Sequence, residues 1–377
     1  MRDGCKSLHD RNHWPTISDF EANPTSVRHA FLALHFNVTN TCNLSCKFCY
    51  ADSIKAKTIS IPIEDIRRLA VEAREVGCQK VILSGGEIFA RDDWFDICQT
   101  FAGTGIEVTL VSNGTLISDV RIEKIKQIEG FSILISLDGA EETHDRIRGH
   151  PGSHAKTVAL LEKLVANNID CQVNATIIKQ NFCDVIYLAE LSLRLNVSMR
   201  FSLLNRHNGR GGTVSDDALT VEDIVELRAF CHALRQQGSK VFLNLPPLLQ
   251  FPEDVVPIRS PSCGWTKSYC GVTNEGYVTV CGVAGADQSL YQGNILQQSF
   301  ADIWRNSELF NYLRSLRPDD LTGICGRCKL REVCGGACRL SAYKARNDFT
   351  APYGLCQEFY DMGLVPESAL DPAGMRG

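Results

Sequence analysis

From Phe31 onward, short and almost unbroken apolar runs recur along the chain: Phe31–Val38, Lys80–Ser84, Ile106–Ser112, Phe131–Leu137, Cys171–Ile178 and Ser198–Leu204. Runs of this kind suit strands of a parallel sheet that is covered on both faces. Between them the apolar positions take a helical period. Ile63, Ile66, Leu69, Ala70, Ala73 and Val76 make one stripe, which Gly77 stops. Ser153 is placed to cap a second helix running through Val165, before Asn167 and Asn168. Thr220 and Asp223 form a capping-box start for a third, ending near Gly238. Strand and helix in alternation predict βαβ units, hence an α/β fold with a parallel barrel or open sheet. Six such units fit between Phe31 and about Asn244. A closed eightfold barrel needs more.

The texture changes near residue 245, where Pro246, Pro247, Pro252, Pro257 and Pro261 interrupt any period. This divides the chain into an N-terminal extension (1–30), a barrel (31–245), a linker (246–262), a cysteine-dominated unit (263–360) and a tail (361–377) with a loosely ordered end. No internal repeat or low-complexity tract is visible. With 44% hydrophobic and 22% charged residues in 377, the composition is that of a globular protein with a large core. A net charge of −5 without a basic stripe gives no nucleic-acid footprint. The N-terminus lacks a signal-peptide core, and no apolar run approaches the roughly 18 residues of a membrane span. A cytoplasmic location is the expectation. Seventeen cysteines then become informative. In a reducing compartment, tightly spaced cysteines read as metal ligands, whereas disulfide scaffolds are short and secreted.

Cys42, Cys46 and Cys49 follow the first apolar run directly, in a C-x3-C-x2-C spacing. Three thiolates so close can ligate three irons of a cubic iron–sulfur cluster, leaving the fourth iron for a chelating small molecule. A structural zinc ion would want a fourth ligand at comparable spacing, and none lies nearby. Parallel α/β folds build their sites at the carboxyl ends of strands. There the second run ends in Ser84-Gly85-Gly86-Glu87, the third in Ser112-Asn113-Gly114-Thr115 and the fourth in Ser136-Leu137-Asp138-Gly139. Paired glycines let a backbone approach closely, and Glu87 suits an ammonium group.

With Phe48 before its last cysteine, the Cys42–Cys49 loop resembles that of the radical S-adenosylmethionine (radical SAM) superfamily, and Gly85-Gly86-Glu87 resembles its GGE motif. The resemblance implies a partial (β/α)6 barrel and a [4Fe–4S] cluster on Cys42, Cys46 and Cys49. SAM would chelate the open iron through its amino and carboxylate groups. One-electron reduction would cleave it to methionine and a 5′-deoxyadenosyl radical that abstracts hydrogen. By the same resemblance Gly85, Gly86 and Glu87 attend the SAM amino group, Asn113 and Ser136 the ribose or carboxylate, and Phe48 and Tyr50 the adenine. Arg148 is a candidate carboxylate partner through its fork of donors. Ile88 stands where many members carry proline.

The second half carries Cys263-x12-Gly276-x4-Cys281, then Cys325-x2-Cys328-x5-Cys334-x3-Cys338, then Cys356. Seven ordered cysteines can hold two metal centres, with a short hairpin strand at Tyr277–Val280 beside them. A zinc ribbon also uses C-x2-C units. The pattern resembles the SPASM extension of radical SAM enzymes, which implies two auxiliary [4Fe–4S] clusters and three clusters in all. One would take Cys325, Cys328, Cys334 and Cys356; the other Cys263, Cys281 and Cys338, with Cys270 either a fourth ligand or a core residue. Cys5, Cys78, Cys98, Cys171, Cys183 and Cys231 have no partner spacing and suit packing. Cys171 or Cys183, if near the barrel mouth, could donate a hydrogen atom to a substrate radical.

Most SPASM enzymes modify ribosomal peptides, so the leading expectation is a peptide substrate that is crosslinked, thioether-bridged or epimerised. A reducing partner such as flavodoxin or ferredoxin is implied. A small-molecule oxidoreductase or epimerase, acting on an aminoglycoside for instance, is the alternative; an electron carrier is a third. Gly282 occupies the position where sulfatase-maturing members place a basic aspartate. Only 41 residues precede Cys42, too few for the winged-helix recognition module that many peptide-modifying members carry.

Overall fold

The computed structural model describes residues 32–54, 56, 60–251 and 267–372. The predicted N-terminal extension, most of the predicted linker, Cys5 and Cys263 lie outside the described residues. The six predicted strands form in chain order and all parallel: β1 (Leu32–Thr39), β2 (Cys78–Gly85), β3 (Glu107–Ser112), β4 (Phe131–Ser136), β5 (Cys171–Ile177) and β6 (Ser198–Leu203). Each is buried on its convex face because every second residue there is apolar. Leu34, Phe36, Val81, Leu83, Val108 and Leu110 are all fully buried.

Helices α1 (Ile63–Glu75), α2 (Trp94–Ala102), α3 (Asp119–Ile125), α4 (Glu141–Arg148), α5 (Ser153–Ala166), α6 (Val185–Leu195) and α7 (Val221–Gln236) fill the connections. The α7 capping box is present, with Asp223 N donating to Thr220 Oγ1 at 3.2 Å and Thr220 N to Asp223 Oδ2 at 3.0 Å. Ser153 does not cap α5. Asp145 of α4 does, accepting from His154 N and Ser153 Oγ, both at 2.8 Å. That cap comes from another helix, so a local sequence window does not contain it.

Three further strands extend the sheet, whose order is β7-β6-β5-β4-β3-β2-β1-β8-β9. They are β7 (Val241–Leu243), β8 (Tyr269–Val272) and β9 (Val278–Thr279). The prolines around residue 250 therefore do not end the sheet. The chain returns beside β1, with Cys270 opposite Leu34, and β9 completes the predicted hairpin. Short helices follow: α8 (Phe300–Asn306), α9 (Glu308–Ser315), α10 (Gly323–Arg327), α11 (Arg331–Cys334), α12 (Arg339–Arg346) and α13 (Gly354–Asp361). The segment read as a tail is packed as far as Asp371. Val365, Ala369 and Leu370 are buried, Leu370 bridges to Cys328, and Asp371 N donates to Arg327 O at 2.7 Å. Among the described residues no helix is long and apolar enough to cross a membrane.

The concave face is polar. Register places Asn37 with Ser84, Thr109 with Ser132, Ser136 with Asn174, and Asn174 with Arg200, and paired residues of parallel strands share a face. A hollow lined by hydroxyls and amides lies at the carboxyl ends of these strands.

Candidate active site

The Cys42–Cys49 loop caps the end of β1 and is held from several sides. Cys42 N donates to Ile54 O at 2.8 Å, Ser45 N to Arg148 O at 3.2 Å and Lys47 N to Ile147 O at 3.0 Å. Arg210, from the segment after β6, donates through Nε to Cys46 O at 2.9 Å and through Nη1 to Asp52 and Ser53 O. Its backbone N–H reaches Cys49 O at 2.9 Å. Cys42, Cys46 and Leu44 are buried together, with Cys49 packed against them. Burial pushes the Cys42 thiol up to about 12 and raises that of Cys46, against the pull of Arg148. Thiols held neutral in this way shed their protons when a metal binds. Among the described residues no three such side chains sit close enough to share one ion. The cysteines of a cube do not share one, since each takes a different iron.

The paired glycines approach this loop. Gly85 has φ +129°, and a Cβ there would stand 2.1 Å from Thr39 O; one on Gly86 would stand 2.2 Å from Thr41 O. Gly86 N donates to Thr39 O and Glu87 N to Thr41 O, at 2.8 and 2.9 Å. Glu87 is buried, and its carboxylate turns back onto β3. It accepts from Ser112 Oγ (2.9 Å), Asn113 N (2.8 Å) and Phe89 N (3.1 Å). Three of roughly four acceptor positions are thus taken, leaving one for an ammonium group. Burial raises its pKa despite these donors. Asn113 Nδ2 in turn lies 2.9 Å from Asn43 Oδ1 and 4.0 Å from Cys42 Sγ. Gly86→Ala is expected to destabilise the protein by at least the ~1–3 kcal/mol of ordinary overpacking. It should also lower iron content, because the shifted backbone carries Cys42; urea denaturation and iron analysis measure both effects.

Arg148, at the end of α4, holds the other side. Its Nη2 lies 2.6 Å from the fully buried Asp138 Oδ2, and its Nη1 donates to Cys46 Sγ at 3.6 Å. Burial lowers the guanidinium pKa, but Asp138 and Cys46 outweigh it and the net shift is upward. Asp138 is shifted upward by burial, with Arg148 opposing. The buried Nε of Arg148 has no hydrogen-bond partner. An orphaned guanidinium donor beside a cluster thiol fits the carboxylate of a bound SAM.

The remaining predicted contacts are distributed differently. Ser136 ends β4 on the concave face. Phe48 packs against Ile147, Ile178, Leu204 and Ala218. Tyr50 points into the hollow, its hydroxyl 2.8 Å from Ser84 Oγ and within 3.5 Å of Asn37 Oδ1 and His35 Nε2. His35 Nδ1 meets Tyr269 Oη at 2.8 Å, and burial lowers its pKa to about 4. Cys171 is buried at the amino end of β5, away from the barrel mouth, whereas Cys183 is exposed just beyond its carboxyl end.

Cys325, Cys328 and Cys334, joined by Cys356 from a later helix, line one small cavity together with Leu248, Ile324, Arg331, Gly336 and Ala337. Backbone amides already point at the sulfurs: Tyr353 N to Cys325 Sγ at 3.3 Å and Leu330 N to Cys328 Sγ at 3.4 Å. The turn between Cys334 and Cys338 is left-handed at Gly335, Gly336 and Ala337, with φ +61°, +83° and +56°. Buried Arg339 ties that turn down, donating to Phe349 O, Ala351 O and Gly336 O. Burial pushes the Cys281 thiol up to about 12, and nearby Cys338 adds to the shift. Cys270 shares the convex face of Leu34, fully buried, which suits core packing.

Sequence reading missed Asp138, Arg210 and Arg339. Asp138 had a visible position in a strand-end turn; the two arginines act on backbone carbonyls, which leave no side-chain pattern to read.

Comparison with known proteins agrees with this geometry. Residues 36–192 match the model of the radical SAM superfamily, and residues 263–329 that of the SPASM iron–sulfur cluster-binding domain. An AdoMet-dependent heme synthase of Methanosarcina barkeri is 30% identical, covering 85% of this chain and 95% of its own length. A PqqA peptide cyclase of Rhizobium meliloti is 23% identical, covering 86% of each chain. Among solved structures, Streptococcus suis SuiB bound to precursor peptide SuiA superposes with a TM-score of 0.72 at 18% identity, over 90% of this chain and 78% of SuiB.

Proposed function

The chain belongs to the radical SAM superfamily and carries a SPASM domain, and on that footing we propose that it cleaves SAM reductively and abstracts hydrogen from a peptide. The observation that carries the chemistry is Arg148, with its unpartnered Nε and its Nη1 on Cys46. When bound, a [4Fe–4S] cluster on Cys42, Cys46 and Cys49 supplies the electron for SAM cleavage. Arg148 would hold the SAM carboxylate, the Glu87 loop would face its amino end, and Asn113 and Ser136 would offer polar groups to the ribose or carboxylate. We assign a second cluster to Cys325, Cys328, Cys334 and Cys356, and a third to Cys263, Cys281 and Cys338.

The peptide reading is supported by the relative named a peptide cyclase. A haem-forming reaction is the second reading, favoured by the 30% identity to the heme synthase over 95% of its length. The test is incubation with SAM, dithionite and a short peptide encoded beside this gene. A mass change of the peptide that requires both reagents is expected. An unchanged peptide, with haem absorbance appearing from a porphyrin substrate, would select the second reading.

Sulfatase-type maturation does not suit this chain. A Cβ on Gly282 would stand 2.2 Å from the His35 ring, which fills the space where an aspartate would sit. Gly282→Asp is expected to lower stability by ~1–3 kcal/mol, as overpacking does, and to confer no formylglycine formation on a sulfatase peptide. Urea midpoints and peptide mass spectrometry check both halves.

A further inference from the structure

Many polar side chains of the concave face are hydrogen-bonded to one another or to nearby backbone. Thr109 and Ser132 hydroxyls pair at 2.8 Å, Ser202 Oγ donates to Asn174 Oδ1 at 2.8 Å, Tyr50 meets Ser84, and Asn37 Nδ2 donates to Gly282 O at 2.8 Å. His35 is engaged by Tyr269. Arg200 lies on this same face, opposite Asn174 on one side and Phe242 on the other, between Met199 and Phe201, which are buried in the convex core. Among the described residues its guanidinium has no hydrogen-bond or ion-pair partner. Arg200 is exposed, unlike its strand neighbours Met199 and Phe201, and the sheet around it lowers its pKa, so the charge faces open space with no protein counterion.

The nearest strand carboxylate on that face, Glu107, starts β3 in register with Lys80. Counting along the ladder, it lies roughly 20 Å below the level of Arg200, at about 3.3 Å per residue. SAM brings one carboxylate, and Arg148 beside Cys46 is placed for it. Arg200 is therefore a second guanidinium facing the hollow with no anion assigned. A cavity of about 210 Å³ between β6 and helices α12 and α13 is lined by Ser202, Asn244, Arg206, Cys338, Tyr353 and Glu358, the last paired with Arg206 at 3.5 Å; Arg200 lies next to this lining, not in it. Ser202 is the next residue of the Arg200 face along β6.

We propose that Arg200 is the substrate-docking cation of the barrel, pairing with a carboxylate of the peptide and so choosing which C–H is presented for abstraction. The assignment rests on the peptide-modifying reading. Two sources of that carboxylate are distinguishable, an acidic side chain and the peptide's C-terminus, and a forked guanidinium suits either.

The test uses the anaerobically reconstituted full chain with SAM and random octapeptide mixtures, one with free C-termini and one amidated, the retained peptides being identified by mass spectrometry. Wild type is expected to retain carboxylate-bearing peptides about tenfold or more over neutral ones, as a charge-assisted pair implies. Arg200→Gln should lose that preference and Arg200→Lys should keep part of it, with iron content and melting temperature measured for each. Preference confined to the free-terminus mixture assigns the C-terminal carboxylate; preference for Asp or Glu in both mixtures assigns a side chain. No carboxylate preference in wild type, or an equal one in Arg200→Gln, overturns the proposal. Release of 5′-deoxyadenosine by wild type, assayed without peptide, reports separately on the radical reading: if none is released, that reading fails whatever the peptides do.

Discussion

Replacing Cys42, Cys46 and Cys49 together by alanine is expected to abolish 5′-deoxyadenosine release from SAM and dithionite while leaving a substantial share of the protein's iron in place. The two halves follow from where the cysteines are. The loop triplet is buried with Leu44 at the end of β1, whereas Cys325, Cys328, Cys334 and Cys356 line their own cavity among short C-terminal helices. No ligand is shared, so an auxiliary centre should survive loss of the first. The triple variant should also remain folded, because alanine is smaller than cysteine and the loop is fixed through backbone groups by Arg148, Ile147, Ile54 and Arg210. Iron and sulfide analysis, with electron paramagnetic resonance of the reduced protein, reads the surviving clusters; chromatography reads the nucleoside. Wild-type levels of 5′-deoxyadenosine from the variant would sink the radical reading. Loss of all iron would sink the separate-site reading instead.

How much of this was legible before folding depended on whether the information was local. Strands β1 to β6 were legible because the apolar residues each buries on the convex face recur at every second position within one short stretch of chain. β7 and β8 were not, since Val241–Leu243 and Tyr269–Val272 are too short to show a period and become strands only through their neighbours β6 and β1. The cysteine spacings pointed to metal binding, and one cavity brings together Cys325, Cys328, Cys334 and Cys356, which a list of positions could only group by resemblance. Roles were less legible than identities. Gly85 and Gly86 read as ligand-facing, yet what they approach is the backbone at Thr39 and Thr41, where any Cβ would collide. Glu87 read as an ammonium partner, yet most of its acceptor capacity orders the Ser112–Asn113 turn. Tyr50 read as an adenine neighbour, yet its hydroxyl sits in the hollow with Ser84. In each case the observed partner was supplied by a segment distant in sequence.

Arg148→Ala should give the largest single-residue effect in the barrel, because it removes two things at once. It takes away the donor proposed for the SAM carboxylate, and it leaves Asp138 buried with no counterion. Breaking a buried pair by deleting one partner costs about 3–5 kcal/mol. Asp138 keeps only the Thr176 N–H on its other oxygen, at 2.9 Å. The loss should depend on pH in a definite direction. Burial already raises the Asp138 pKa in the folded protein above its unfolded value, against the opposing pull of Arg148. Without Arg148 the folded pKa rises further. A folded state that binds protons more tightly than the unfolded one loses stability as pH rises above the unfolded carboxyl value, near 4, and goes on losing it until the folded pKa is passed. The deficit of Arg148→Ala relative to wild type is therefore expected to be smallest in mild acid, where Asp138 can be protonated, and to grow toward neutral pH. Urea midpoints across that range measure it. The paired variant Arg148→Met/Asp138→Leu separates the two losses. It should recover much of the stability, because no uncompensated charge remains, and still fail to bind SAM or release 5′-deoxyadenosine. Recovery of SAM binding in the apolar pair would show that the guanidinium serves Asp138 alone. A deficit that does not change with pH would show that the carboxylate is not what Arg148 stabilises.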